Sequence, residues 1–377
     1  MAKRIWVALL SVLFVIGACA VEESGPAPTA LTQDDLQAKL DALQAAHPET
    51  PGFAIAFVLP DGAMVSAATG VAAPDGRAMT PDTPVRQASI TKTFVAAALL
   101  RLQEEGKIDL DQPLGEVIDP EIDQLLTGDG YDTRAMTVRQ VMMHNASLGD
   151  HFYGEAYLNA VLGDPGRVWT ALDQLTLMVE IADPLGPPGE AMVYSDSGYV
   201  ILGTIIERIT GQRMGAAVAA LLSFDAIGLE TVWWDEETAP PAGTLPRAHQ
   251  WLGDVDTFAF NGTIDAFGGG GIVASVEDIA RFYAALFAGE VFDDPATLEE
   301  MTNPPGNVST ADYRLGLFPG TVGDHQAYGH SGFWGTQATA VPALGLVYAG
   351  VSLNGDGLPS LRAVGHGVAA TLSDGAD

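Results

Sequence analysis

The sequence predicts an α/β fold whose sheet is assembled from both ends of the chain, with a mainly helical region inserted between them. Two observations carry this expectation. Strand-like apolar runs bounded by turn residues fall at 53–68 and again at 337–353. Between about 108 and 250, helical spacing alternates with long Pro/Gly loops instead. Strands at the two ends that share one sheet make the α/β unit discontinuous. Its parts are residues 32–107 and 251–377, and 108–250 form the helical insertion.

Leu36, Leu40 and Leu43 recur at near-helical spacing behind Thr32, which predicts a first amphipathic helix. Phe53 to Leu59, the turn Pro60-Asp61-Gly62, and Ala63 to Ala68 read as a β-hairpin. Gly70 to Pro84 is a loop. A strong helix follows from Ser89 to Glu105, with Gly106 as its stop. Further helices are expected near Thr137, over about 197–209, and after the N-cap signal Ser275/Asp278 as far as Phe287, closed by Gly289. Gln337–Val341 and Leu344–Leu353 pair as strands, and a last helix begins near Pro359.

Residues 1–18 have the pattern of a signal peptide: Lys3 and Arg4, then an apolar run from Ile5 to Ile16 that is short for a membrane span. Ile16-Gly17-Ala18-Cys19 resembles a bacterial lipobox, which predicts lipidation of Cys19; cleavage after Ala18-Cys19-Ala20 is the alternative. Either way the chain's single cysteine leaves no pair for a disulfide. Residues 19–31 read as a flexible tether. These features predict an exported protein, in the periplasm or held on the cell envelope as a lipoprotein.

The chain has 377 residues, with 17 basic and 48 acidic, for a net charge of −31. Such a balance argues against nucleic acid as a partner and against basic-patch docking on anionic membranes. A hydrophobic content of 47% excludes a mainly disordered chain. Paired cysteines, a His-Glu-x-x-His run and a glycine-rich phosphate loop are all missing from the sequence, so no metal or other cofactor is expected.

Three short motifs carry chemistry. In Ser89-Ile90-Thr91-Lys92 a spacing of three puts hydroxyl and amine on one helical face, where an amine can activate the serine as a nucleophile. Alone, the pattern also fits a capping serine and a surface lysine. In Tyr194-Ser195-Asp196 a phenol at a turn suits proton transfer, or else core packing beside a capping serine. In His330-Ser331-Gly332, before Phe333-Trp334-Gly335, an imidazole and a hydroxyl beside glycine suit carboxylate or carbonyl binding; a plain glycine-rich turn fits equally. His144 reads as structural. His249, Trp251, Phe152 and Tyr153 are weaker cleft candidates.

In this order and spacing the motifs resemble the penicillin-recognising serine hydrolases: class C β-lactamases, D-Ala-D-Ala carboxypeptidases, and related esterases and D-aminopeptidases. That family carries Ser-x-x-Lys, Tyr-x-Asn and Lys/His-Thr/Ser-Gly. The likeness extends over roughly 35–370 and takes in Pro51-Gly52, Met79-Thr80-Pro81, Thr137 to Leu148, Pro188-Gly189, Gly198-Tyr199 and Gly268 to Ser275.

The resemblance implies a β-lactamase/D,D-peptidase-like fold, an antiparallel sheet flanked by helices. It also implies acyl-enzyme hydrolysis of a small-molecule or peptide substrate. Ser89 would be the nucleophile, Lys92 and Tyr194 the base and acid, and the N–H groups of Ser89 and Phe333 the oxyanion donors. Asp196, His330, Ser331 and Gly332 would bind substrate. Two departures stand out. Asp196 replaces Asn, which favours a substrate with an N–H or ammonium group and sets up pairing with Lys92. His330 replaces Lys, which weakens a carboxylate anchor. The expected activity is D-Ala-D-Ala carboxypeptidase-like hydrolysis of amides or esters. The alternatives are a carboxylesterase, a β-lactamase, or a catalytically silent lipoprotein that binds peptidoglycan or β-lactams.

Overall fold

The computed structural model describes residues 31–152, 155–306 and 313–373. The signal-peptide and lipidation expectations, nearly all of the tether, and Tyr153 lie outside these residues.

The strands, in chain order, are β1 (Gly52–Val58), β2 (Met64–Gly70), β3 (Val85–Arg86), β4 (Trp233–Trp234), β5 (Trp251–Leu252), β6 (Val255–Asp256), β7 (Ile272–Ala274), β8 (Phe318–Val322), β9 (His325–Gly332), β10 (Thr336–Val341) and β11 (Leu346–Ser352). The helices are α1 (Gln33–Ala46), α2 (Thr91–Glu104), α3 (Pro120–Gly128), α4 (Val138–Met142), α5 (Glu155–Gly163), α6 (Ala171–Ile181), α7 (Asp196–Thr210), α8 (Met214–Leu221), α9 (Phe224–Ile227), α10 (Val276–Phe287), α11 (Pro295–Thr302) and α12 (Leu358–Ser373).

Six strands form one antiparallel sheet in the order β2-β1-β11-β10-β9-β8. The two ends of the chain therefore pair in its middle, with Phe53 opposite Ser352. Side-chain alternation in β1 decides what packs on each face. Phe53, Ile55 and Phe57 point to the side that buries Leu36 and Leu40 of α1 and Leu361 and Val368 of α12. Ala54 and Ala56 point the other way, into the main core with α2 and α10. Their small side chains leave room for two helices whose own rings stack, Phe94 on Phe282 at 3.7 Å. Three short strands, in the order β3-β7-β4, form a second sheet at the start of α2.

Local signals explain most boundaries. Thr32 caps α1, Ser275 caps α10, and Thr137 forms a capping box with Gln140 at α4. Two expectations need correction. The helix read from Ser89 starts only at Thr91; Ser89 lies on a 3₁₀ turn, Ala88–Ile90. His330-Ser331-Gly332 lies on a strand beside the β10–β11 pair and is not a glycine-rich turn. It ends β9, a strand whose glycines and polar residues hid it from an apolar pattern.

Candidate active site

Ser89 is held in a strained turn at the front of α2. Ala88 before it has φ of +49°, a left-handed conformation rare for a residue with a Cβ. The following helix, almost entirely buried, fixes Lys92 three residues on. Lys92 is fully buried, while Ser89 retains partial exposure. The Lys92 Nζ donates to Ser89 Oγ at 3.0 Å, to the Gly269 carbonyl at 2.5 Å, and to Asp196 in an ion pair. Three acceptors match the three protons of an ammonium.

Helix α7 delivers the second motif. Its cap, Ser195, accepts from the Gly198 N–H at 3.0 Å and donates to the Gly149 carbonyl at 2.6 Å. That fixes Tyr194 just outside the helix and Asp196 in its first turn, where the helix dipole favours a carboxylate. The Tyr194 ring lies 5.2 Å from the Lys92 Nζ. Gly203 lets the 267–270 loop lie directly on α7: a Cβ there would stand 2.1 Å from the Phe267 carbonyl oxygen. This close approach brings the Gly269 carbonyl to Lys92.

The third motif meets the first through another glycine. A Cβ on Gly332 would stand 2.2 Å from the Gln87 carbonyl oxygen and 3.0 Å from the Ala88 Cβ. The end of β9 thus presses on the turn that carries Ser89, and Phe333 follows at once. Trp334 is pinned by its indole N–H, which donates to Asp265 at 2.8 Å. Phe333 is 42% exposed, and Ser331 is half-buried beside it.

His330 is placed differently from the substrate-facing role its motif suggested. Its ring is buried, 5.6 Å from the Tyr313 ring and 5.2 Å from Phe318. Nδ1 lies 2.8 Å from the Ser331 carbonyl, which can only accept, so Nδ1 carries the proton. Nε2 then accepts from the Tyr313 hydroxyl at 2.8 Å. Burial, with the Lys92 charge adding to it, pushes the imidazole down to about 3. His330 is a neutral ring with both nitrogens engaged.

Two carboxyls the motifs did not reveal, Asp150 and Asp265, lie near Lys92 and Asp196. Asp150 accepts from the Asp196 N–H at 3.2 Å and the Phe152 N–H at 3.1 Å. Burial, and then the Asp196 charge, raises its carboxyl well above the ordinary range. Asp265 is raised for the same two reasons, to about 6. His144 packs against Tyr194, ring centres 4.2 Å apart, and accepts from the Ser195 N–H at 3.1 Å. Rather than lying on a helix, it follows α4 with φ of +57°. Its imidazole is pushed well down by burial. His249 is engaged elsewhere, bonded to Asp256 at 2.6 Å and stacked on Phe258 at 4.0 Å. Among the described residues no three His, Cys, Asp or Glu side chains are arranged to hold a metal ion. Asp150 and Asp265 had no sequence signal of their own, since only the fold brings them to Lys92.

The chain is similar to known proteins. Penicillin-binding protein 4 of Amycolatopsis lactamdurans is 29% identical over 51% of this chain and 47% of its own length. Esterase EstB of Burkholderia gladioli is 34% identical over 52% of each. The chain thus spans about half the length of these curated relatives. Among solved structures, a D-stereospecific amidohydrolase from Streptomyces sp. superposes with a TM-score of 0.72 at 26% identity, covering 84% of this chain and 94% of that one. The sheet with its flanking helices is the β-lactamase/D,D-peptidase-like fold that the motifs implied. The family model described as Beta-lactamase matches residues 39–371, and the chain belongs to that family.

Proposed function

We propose that the protein hydrolyses small amides or esters through an acyl-enzyme on Ser89, and that its substrates carry an amino group near the scissile carbonyl. The single observation that carries the first part is the Lys92 Nζ, 3.0 Å from Ser89 Oγ and held by the Gly269 carbonyl and the Asp196 carboxylate, a pairing that favours its ammonium form. An ammonium with no lone pair cannot take the seryl proton, so Tyr194 is the base. The positive charge 5.2 Å from its ring favours the negative charge its oxygen would carry. Ser89 Oγ attacks the carbonyl carbon, and its proton passes to Tyr194. The carbonyl oxygen takes the negative charge against the N–H groups of Ser89 and Phe333. Each such donor is typically worth about 3–4 kcal/mol. Tyr194 returns the proton to the departing amine or alcohol, and water repeats the sequence on the ester to free Ser89.

The walls of the site bear on the substrate. A D,D-carboxypeptidase must anchor a terminal carboxylate, yet His330 is neutral with both nitrogens occupied. The Asp196 carboxylate suits an ammonium instead. The Streptomyces relative, named an amidohydrolase, supports this choice over the carboxypeptidase reading. A lipid anchor at Cys19 and a place on the cell envelope remain part of the proposal, resting on residues 1–19 alone.

A fluorophosphonate probe should label the wild type, and Ser89→Ala should abolish labelling; a folded wild type that takes no label would favour the silent binding protein. Asp196→Asn should cut kcat/KM on an alanine p-nitroanilide with a free amine about 10- to 100-fold, as expected for loss of one charge-assisted bond. The N-acetylated analogue should change far less. Equal losses on both would overturn the amine reading and leave the acyl-enzyme standing.

A further inference from the structure

We infer that Phe333 and Phe152 form an aromatic subsite that selects acyl groups bearing a flat apolar ring. This rests on the acyl-enzyme reading above but not on the amine preference. Two exposed phenylalanine rings occur among the described residues, Phe258 and Phe333. The first is covered: His249 stacks on it at 4.0 Å, and the Arg247 guanidinium lies 4.7 Å from its centre. Phe333 keeps 42% of its surface in water although it sits one residue past Gly332, which presses on the turn of Ser89. An apolar ring held open beside a nucleophile, in a chain with 48 acidic residues, calls for a ligand.

Its neighbours make the ring a wall. Phe152 meets it edge to face at 5.0 Å, and Trp334 meets it at 4.9 Å. Phe152 belongs to the opposite side of the site, since its N–H donates to Asp150, which in turn accepts from Asp196. Behind the pair lies a buried apolar cluster that includes Tyr157, Trp169, Ile264 and Trp334 and reaches Ala88 beside the nucleophile. A ring on the acyl part of a substrate can complete this cluster in the edge-to-face geometry the two phenylalanines already use. The bulk of the pair also bounds the space on that side.

The test compares p-nitrophenyl phenylacetate with p-nitrophenyl acetate, neither of which carries an amine. The wild type should favour the phenylacetate in kcat/KM. Phe333→Ala and Phe152→Ala should each lower the ratio about tenfold, the scale on which an apolar pocket discriminates. Should Phe333→Ala fail to fold, Phe333→Leu, which keeps bulk but not flatness, should still lower the ratio. A wild-type ratio near one, or variants that slow both esters in equal proportion, would overturn the subsite. A folded wild type that hydrolyses neither ester would also overturn the subsite, and only one that in addition takes no fluorophosphonate label would overturn the acyl-enzyme reading.

Discussion

The two sides of the site are built on opposite principles. The side supplied by α7 and the segment before α5 is held by charge: Asp196 on Lys92, and Asp150 on the Asp196 N–H. The side supplied by β9 is neutral and aromatic, with His330 kept uncharged among Tyr313 and Phe318 and with Phe333 standing open. A charged wall positions a reacting group at fixed distances, because each ion and hydrogen bond has one geometry. An aromatic wall supplies area and shape with little directional demand. The contrast teaches that one site can be held by directional charge on one side and by apolar packing on the other, with Phe152 and Phe333 meeting across it.

Three variants would break or sharpen the contrast. The largest effect is expected from Lys92→Ala. It leaves the Asp196 carboxylate uncompensated and removes the charge beside Tyr194, so turnover should fall on the order of 10³-fold or more. Stability should drop by about 3–5 kcal/mol in urea unfolding. A drop under about 1 kcal/mol would mean that charge does not hold that wall together.

The second is His330→Gln. A ring whose folded value is about 3 and whose unfolded value is near 6.5 contributes stability above pH 6.5, and this is lost as pH falls toward 3. The variant should therefore show a flatter fall in Tm over that window, and an unchanged slope would show that the neutral wall is not sensed by folding. The third, Asp265→Asn, has the opposite sign. A carboxyl raised to about 6 contributes most below its ordinary value near 3.8, and its contribution is lost as pH rises through 6. The amide can still accept from the Trp334 indole, so Tm of the variant should hold steadier between pH 4 and 7. A wild-type Tm already flat there would count against a buried, raised Asp265.

Legibility in the sequence followed the same division. The caps Thr32, Thr137, Ser195 and Ser275 act within a few residues of themselves, and so do the helix stops Gly106 and Gly289. Spacing alone could expose them, as it exposed Ser89 with Lys92 on one face. The Asp196–Lys92 pair was readable because both lie in short motifs. Asp150 and Asp265 were not, since a carboxylate buried near another looks in sequence like any of the chain's many surface acids. The direction of the His330 ring was equally hidden. It depends on Tyr313, in the segment before β8, and on Phe318, which opens that strand, and β8 has no clean alternation.

The pairing of Phe53 with Ser352 also sets a timetable. A growing polypeptide cannot zip up its central strands until nearly all of it has been synthesised, and contacts so remote in sequence form late and slowly. The turn that carries Ser89, pressed from one side by Gly332, is therefore completed only once β9 arrives. Until then the nascent chain holds Ser89 and Lys92 without the strand end that presses on their turn.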